Sequence, residues 1–354
     1  VALGFTGRVH TGSRRSSALI VVVWVIGILS MLVASFAFDA QVEARITSYY
    51  RKRTQAESLA RAGIVVAEML TAKAERMGDD EEPDLDDRWF EAAKRLKEGS
   101  LRGLEEKLGN GTIRLDIVPE PARRNINNLD VANNKNTEEV ERHLERVLEV
   151  GGITEEMWAD FIDPLIDWLD ADGTSRGEPA ETDDYYAALD PPYSAKNGPL
   201  DTVGELLLVK NFDRTVLYGG VVETGVGTLE PIRISGIEDL LTTYGDGKVN
   251  VNAASMRVLM TLPEIDELIA GAIIEERDGL LGNDSGGDRT PFENPADLCT
   301  RMGLPVTLKK FVATDSTIYR ISSVGIAGGV EREVWCIAHF TKQRLRILRW
   351  REQD

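Results

Sequence analysis

The chain has 354 residues, 42% of them hydrophobic and 28% charged, which is room for two ordinary domains and fits neither a disordered tail nor a polytopic membrane protein. Acidic residues outnumber basic ones 59 to 41, and the resulting net charge of −18 repels phosphate backbones and argues against a nucleic-acid binder. Two cysteines and three histidines exclude a disulfide-dense scaffold, a four-cysteine zinc site and most histidine-based chemistry.

Ser17 to Phe38 carries no charge (SALIVVVWVIGILSMLVASFAF). As a helix this stretch is roughly 33 Å long, enough to cross a hydrocarbon core once. The residues before it hold Arg8, Arg14 and Arg15 and no acid, so positive-inside bias keeps that end cytoplasmic and sends the remainder across the membrane. From Asp39 to Met77 there is no proline and one glycine, Gly63. Apolar or small residues recur at Val42, Ile46, Tyr49, Ala56, Leu59 or Ala60, Gly63, Ala67 and Leu70, which are helical intervals. One helix is therefore expected to run from the membrane into solvent, with a narrow stripe packed on a soluble domain. A secreted signal peptide would instead be shorter and end at a cleavage site.

Gly78 to Asp87 is an acidic run with a proline and reads as a solvated loop. Arg88 to Leu108 has helical periodicity through Trp89, Phe90, Ala93 and Leu96, interrupted at Gly99. Asn110-Gly111 signals a turn, and Thr112 to Val118 alternates like a half-buried strand. Tyr319 to Ile326 and Glu333 to Phe340 read as two strands joined at Gly328-Gly329, followed by a tail. Strands on both sides of a helical middle give an α+β fold: a long N-terminal helix on a small antiparallel sheet, with an α-helical domain inserted. The expected units are a leader (1–16), a transmembrane helix (17–38), a helix with the first strand (39–124), the insert (125–312) and the C-terminal strands with the tail (313–354). The insert has an internal echo: Asn125-Ile126-Asn127 opens one half and Val249-Asn250-Val251-Asn252 the other. The second half, with Leu262-Pro263-Glu264-Ile265 between helical stretches, resembles a helix-hairpin-helix or SAM-like module. Glu264, Asp266 and Glu267 disfavour phosphate there.

Asp167, Asp170, Asp172, Glu178, Glu181, Asp183 and Asp184 crowd one loop that Gly173 and Gly177 allow to turn tightly. By residue chemistry alone this is either a solvated acidic loop or a site for a hard cation, which takes six to eight oxygens. It lacks the spacing of an EF-hand. A second acidic turn, Gly282 to Asp288, is a weaker metal candidate. Cys299 and Cys336 leave a disulfide open. No nucleophile with a base, phosphate loop or zinc signature is present, so no enzyme activity is expected.

The basic leader, the uncharged SALIVVVW segment and its helical continuation resemble a type IV pilin-like N-terminus. The run from PLIDWLDADG through Tyr185-Tyr186, Pro191-Pro192-Tyr193, Asn197 and ELLLV, followed by KVNVNAASMRVLMTLPEIDELIAGAIIEERDG, resembles type II secretion system protein K, the large minor pseudopilin. That resemblance implies cleavage by prepilin peptidase at Ser16–Ser17, although the family usually has Gly where Ser16 stands. The family sits in the inner membrane and usually has Glu where Val21 stands; lack of that acid suits a tip subunit and also a degenerate or unprocessed protein. It further implies partner contacts along Val21, Trp24, Val42, Ile46 and Tyr49 with minor pseudopilins of the I, J and H types. It implies calcium in the acidic loop, with Asp170, Asp172, Glu178, Asp183 and then Asp184 as the ligands expected, and Asn197 and the Tyr185 region adding oxygens. The implied role is to start and cap a short pseudopilus that pushes substrates through the outer membrane. The alternatives are a membrane-anchored DNA-uptake factor and a minor pilin of a type IV pilus.

Overall fold

The computed structural model describes residues 14–78, 88–128, 137–222, 232–279, 289–341 and 344–353. The leader before Arg14, the acidic run 79–87 and the acidic turn 282–288 lie outside the described residues. Helix α1 (Arg14–Arg76) is unbroken through the membrane-type stretch and beyond it. At about 1.5 Å per residue it is roughly 95 Å long. Its residues from Leu19 to Phe38 are exposed. Farther along, Ala56, Leu59, Ala60, Ile64, Ala67, Leu70 and Ala74 are buried. Most of these are small because α1 lies almost directly on a sheet. A Cβ at Gly63 would collide with the Ser323 hydroxyl, and one at Gly325 would fall on the Ala56 carbonyl oxygen and 2.5 Å from the Ala60 amide nitrogen.

After α1, helix α2 (Phe90–Lys97) packs Phe90, Ala93 and Leu96 into the same core. Strands β1 (Leu101–Leu108) and β2 (Gly111–Pro119) follow as a hairpin. The helical reading of Arg88 to Leu108 therefore holds only up to Lys97. LRGLEEKL has helix-forming residues, but β2 offers a full backbone ladder, and β1 takes the exposed edge, where polar side chains are tolerated. The sheet resumes far downstream with β9 (Ile318–Ala327), β10 (Val330–Thr341) and β11 (Arg344–Gln353), in the antiparallel order β1-β2-β9-β10-β11. The stretch expected as a tail is thus the fifth strand.

β2 and β9 are neighbours, with Pro119 opposite Tyr319. The insert leaves the sheet at Pro119 and rejoins it at Ile318, a few residues outside the expected 125–312 on each side. Close contacts fix which end this is. Gly325 meets α1 at Ala56 and Ala60, and Ser323 meets it at Gly63. Glu75 acts electrostatically on Tyr319. The insert therefore springs from the sheet end farthest from the membrane-type segment. Glu120 ties the junction: buried to 1% exposure, it accepts from Arg320 at 2.8 and 2.9 Å and from the Thr242 hydroxyl at 2.7 Å.

Within the insert come β3 (Arg124–Asn125), α3 (Thr137–Gly151), α4 (Trp158–Leu169), α5 (Arg214–Tyr218), β4 (Gly220–Val222), β5 (Ile232–Ile234) and β6 (Leu241–Thr242). Then follow β7 (Val249–Asn250), α6 (Met256–Met260), α7 (Glu267–Asp278), α8 (Pro295–Met302) and β8 (Val312–Ala313). The internal echo is a structural duplication. β3 pairs parallel with β6, and β7 with β8, so each half closes on its own beginning. In the first half the Asn125 Oδ1 accepts from the Asn127 amide at 2.9 Å. The Asn127 side chain then accepts from the Leu200 amide (2.7 Å) and donates to the Leu200 carbonyl (2.7 Å) and the Thr243 carbonyl (3.4 Å). In the second half the Asn250 Oδ1 accepts from the Asn252 amide at 3.0 Å. Asn252 accepts from the Phe292 amide (2.9 Å) and donates to the Phe292 carbonyl (2.9 Å) and the Thr314 carbonyl (3.1 Å). The clamped segments match too: Pro199-Leu200-Asp201 with Glu205-Leu206, and Pro291-Phe292-Glu293 with Asp297-Leu298. The Asp201 and Glu293 amides donate to the Glu205 and Asp297 carboxylates at 3.2 and 3.1 Å.

Each clasp satisfies backbone groups of a segment distant in sequence. Asn252→Ala should cost about 2–3 kcal/mol and the less buried Asn127→Ala about 1–2 kcal/mol, read from urea unfolding of the full chain in detergent. Equal and negligible effects would show that the clasps are incidental. The two cysteines belong to different cores, Cys299 in the insert and Cys336 under α1, and both are free thiols.

Candidate functional site

The acidic loop follows α4, whose last turns are apolar and buried around Leu165, Ile166, Trp168 and Leu169. Asp167 lies on this inner face, fully buried, and its carboxylate is spent on the Arg176 amide at 3.0 and 3.2 Å. Asp170 ends the helix in an extended conformation. Asp172 accepts from the Thr174 amide at 2.8 Å, which turns the chain. The loop then folds back so that the Glu181 carbonyl accepts from the Tyr185 and Tyr186 amides, and the Glu181 side chain points inward. Asn197, held at φ 48°, donates its amide to the Asp172 carbonyl at 2.8 Å. Trp168, Tyr186 and Tyr193 form an aromatic wall behind, with Trp168 and Tyr186 centroids 5.2 Å apart.

This folding gathers carboxylate oxygens of Asp170, Asp172 and Glu181 within 4.8 Å of one another. Glu178, Asp183 and Asp184, expected as ligands, are exposed and stand outside the group; Asp184 instead accepts from the Ser175 hydroxyl at 3.3 Å. Alternation along the sequence could not show which acids the fold-back turns inward, and so Glu181 was passed over as a ligand. Three oxygens at this place are buried with no hydrogen-bond partner: Asp170 Oδ1, Glu181 Oε1 and Asn197 Oδ1. Burial, then Asp167 and Asp170, push the Glu181 carboxyl up to about 7. Burial and then Asp172 raise Asp170. Buried, partnerless acceptors of one sign are costly unless a cation meets them. The donor set is all hard oxygen, as calcium requires.

A second candidate surface is α1 itself. Val21, Trp24, Val42, Ile46 and Tyr49 are all exposed, so the face expected to meet partners is uncovered in the isolated chain. Val65 and Met69 are exposed on the part of α1 that lies over the sheet, at helical spacing on the side away from it. Sequence reading missed this pair because the buried stripe dominates the periodicity there.

The hairpin between α6 and α7 buries Leu262 and Ile265 and leaves Glu264 exposed at φ 62°. Asp266 caps α7 by accepting from the Ile269 amide at 2.8 Å. Carboxylates thus stand at the loop and helix N-terminus, where a phosphate would have to bind.

A family model described as type II secretion system (T2SS), protein K matches residues 122–218, the first half of the insert. The type II secretion system protein K of Pseudomonas aeruginosa is 29% identical over 274 residues, covering 77% of this chain and 75% of that protein. A chain in the crystal structure of the GspK-GspI-GspJ complex from the type 2 secretion system of enterotoxigenic Escherichia coli shares the fold. Its TM-score is 0.58 at 15% identity, covering 87% of this chain and 99% of that one. With a helix long and apolar enough for a single-pass membrane anchor, the chain is similar over most of its length to type II secretion system protein K.

Proposed function

We propose that this chain is a minor pseudopilin that stands at the tip of the secretion pseudopilus, starts its assembly and supports protein export across the outer membrane without catalysing a reaction. The observation that carries this reading is where the insert is attached. α1 anchors one end, and the insert leaves the sheet at the opposite end, between Pro119 and Ile318. A broad membrane-distal head obstructs any subunit from adding above it. The exposed faces of α1 remain available for subunits below. The similar solved chain was crystallised with GspI and GspJ, which favours I- and J-type pseudopilins as partners here, and H-type with them. In this reading prepilin peptidase trims the chain at Ser16–Ser17, the N-terminus is cytoplasmic and the head is periplasmic.

Calcium belongs to the same proposal. Asp170, Asp172 and Glu181 would hold it, with the Asn197 side-chain oxygen. It would neutralise a crowded acidic loop and stiffen the insert. The test of the tip role is excision: residues 120–317 replaced by a short turn that joins β2 directly to β9. Pseudopili from cells carrying this variant are expected to start less often and to grow past the altered subunit, as seen by electron microscopy. Normal number and length would defeat the tip reading.

A further inference from the structure

The fifth strand carries a surface that the tip reading does not use. Among the described residues β11 is terminal in the sheet, with β10 as its only strand neighbour. Along it, Arg344, Arg346, Arg349 and Arg351 lie opposite Thr341, His339, Ile337 and Trp335. Residues directly opposite one another share a sheet face, and faces alternate with each residue. In a regular strand Arg346 and Arg349 would therefore face opposite sides. The register shifts by one residue between Ile337 and Ala338, so that Leu348 is left unpaired. This bulge turns the second pair of arginines back to the side of the first. All four stand on the face away from α1. Leu345, Ile347 and Trp350 take the α1 side, opposite Phe340, Ala338 and Cys336.

Among the described residues the arginine row has no carboxylate partner: none lies within ion-pair distance of Arg344, Arg346, Arg349 or Arg351. The acids nearby are spent. Glu333 accepts from the Ser322 hydroxyl at 2.6 Å, Asp116 accepts from the Gly103 amide, and Glu120 holds Arg320. Glu352 lies on the α1 side and pairs with Arg61 at 3.0 Å. Trp335, in the same outward row, sits between the guanidinium groups of Arg320 (5.6 Å) and Arg349 (5.7 Å). In a chain of net charge −18, this face is a local reversal of sign.

We propose that β11 docks an extended acidic segment of a partner protein, added as a sixth strand whose alternate carboxylates meet Arg344, Arg346, Arg349 and Arg351. Strand geometry matches the two sides: carboxylates on every second residue recur about every 6.6 Å, the spacing of the arginines within each pair. Apart from the Leu345 amide, which already donates to Glu68, the backbone on the outer edge of β11 has no strand partner among the described residues and supplies the ladder. A second copy of this chain fits poorly, because pairing β11 with itself sets two arginine rows side by side. A membrane surface is out of reach. β11 lies level with Arg61 and Glu68 of α1, through the Glu352 ion pair and the Leu345 amide to Glu68 at 3.1 Å. That is roughly 35–45 Å beyond Phe38 along the helix. The docking surface does not depend on the tip placement, and it stands or falls separately from it.

The test uses the full chain in detergent micelles with an end-blocked alternating Glu-Val decapeptide as probe, and a Lys-Val decapeptide of equal length as control. The Glu-Val peptide is expected to bind, to slow amide hydrogen exchange across residues 344–353, and to weaken as salt is raised. The double variant Arg346→Glu/Arg349→Glu should weaken that binding by at least about tenfold and bind the Lys-Val peptide instead. Arg346→Gln/Arg351→Gln serves as a milder variant whose melting should match the parent. No binding of the Glu-Val peptide would mean that the arginines only guard an edge against aggregation, and would overturn the proposal. So would equal binding of both peptides, or protection of β11 that arises only through self-association of the chain.

Discussion

Gly325→Ala is expected to be among the most damaging single-methyl changes in this protein. The added carbon would fall on the backbone of α1, at the Ala56 carbonyl and the Ala60 amide, with the Leu59 Cβ at 2.8 Å. Helix backbone cannot rotate aside as a side chain can, so α1 must lift from β9 or the sheet must buckle. Overpacking of this kind costs about 3 kcal/mol or more. For a protein of this size that is roughly a 6–12 °C fall in melting temperature. Near-ultraviolet circular dichroism of the full chain in detergent would measure it. Gly271→Ala is the control. It lies within α7, and its nearest neighbour would be the Met256 Cε at 3.9 Å. There the same methyl should stabilise by about 0.5–1 kcal/mol through helix propensity. A harmless Gly325→Ala would show that α1 does not seat on the sheet as closely as the structure has it.

The acidic loop should respond to calcium with comparable force. At a hundredfold excess over its dissociation constant, a bound ion adds about 2.7 kcal/mol to the stability of the folded state. The calcium-free protein carries the opposite sign. Its Glu181 carboxyl is pushed up to about 7 and that of Asp167 to about 6, by burial first in each case. In the unfolded chain such groups titrate near about 4. Between those limits the native state binds the extra protons. In chelator, stability should therefore rise as pH falls from about 7 toward about 4.5, and the penalty is full above pH 7. Excess calcium should flatten that slope. Glu181→Gln removes one buried negative charge and should leave the chelated protein at least as stable as the parent while abolishing the gain from calcium. A calcium gain that survives Glu181→Gln but vanishes with Glu178→Gln would return the site to the exposed acids first expected.

The features legible in sequence were those whose physics is local. The uncharged stretch from Ser17 to Phe38 is long and apolar enough to cross a membrane as a helix, and the small residues at Ala56, Ala60, Gly63 and Ala67 mark where that helix meets a sheet. The Asn-x-Asn echo was visible because each clasp uses its second asparagine to bind backbone far away, which demands that residue type. What escaped depended on distant partners. β1 looks helical until β2 is beside it, and β11 looks like a basic tail until β10 supplies its ladder. Glu181 is one acid among many until the turn at Tyr185 and Tyr186 points it toward Asp170 and Asp172.

The two self-closing halves have a consequence for the order in which the molecule is made. β3 meets its partner at β6, and β7 meets its partner at β8, each within its own stretch of chain. Emerging from its amino end, the chain can shut the first ring and then the second as each is delivered. The sheet under α1 has no such freedom. β2 must wait for β9, which arrives only after the whole of both rings. A head that closes first would leave α1, for that interval, with only α2 and the β1–β2 hairpin to cover its alanine stripe.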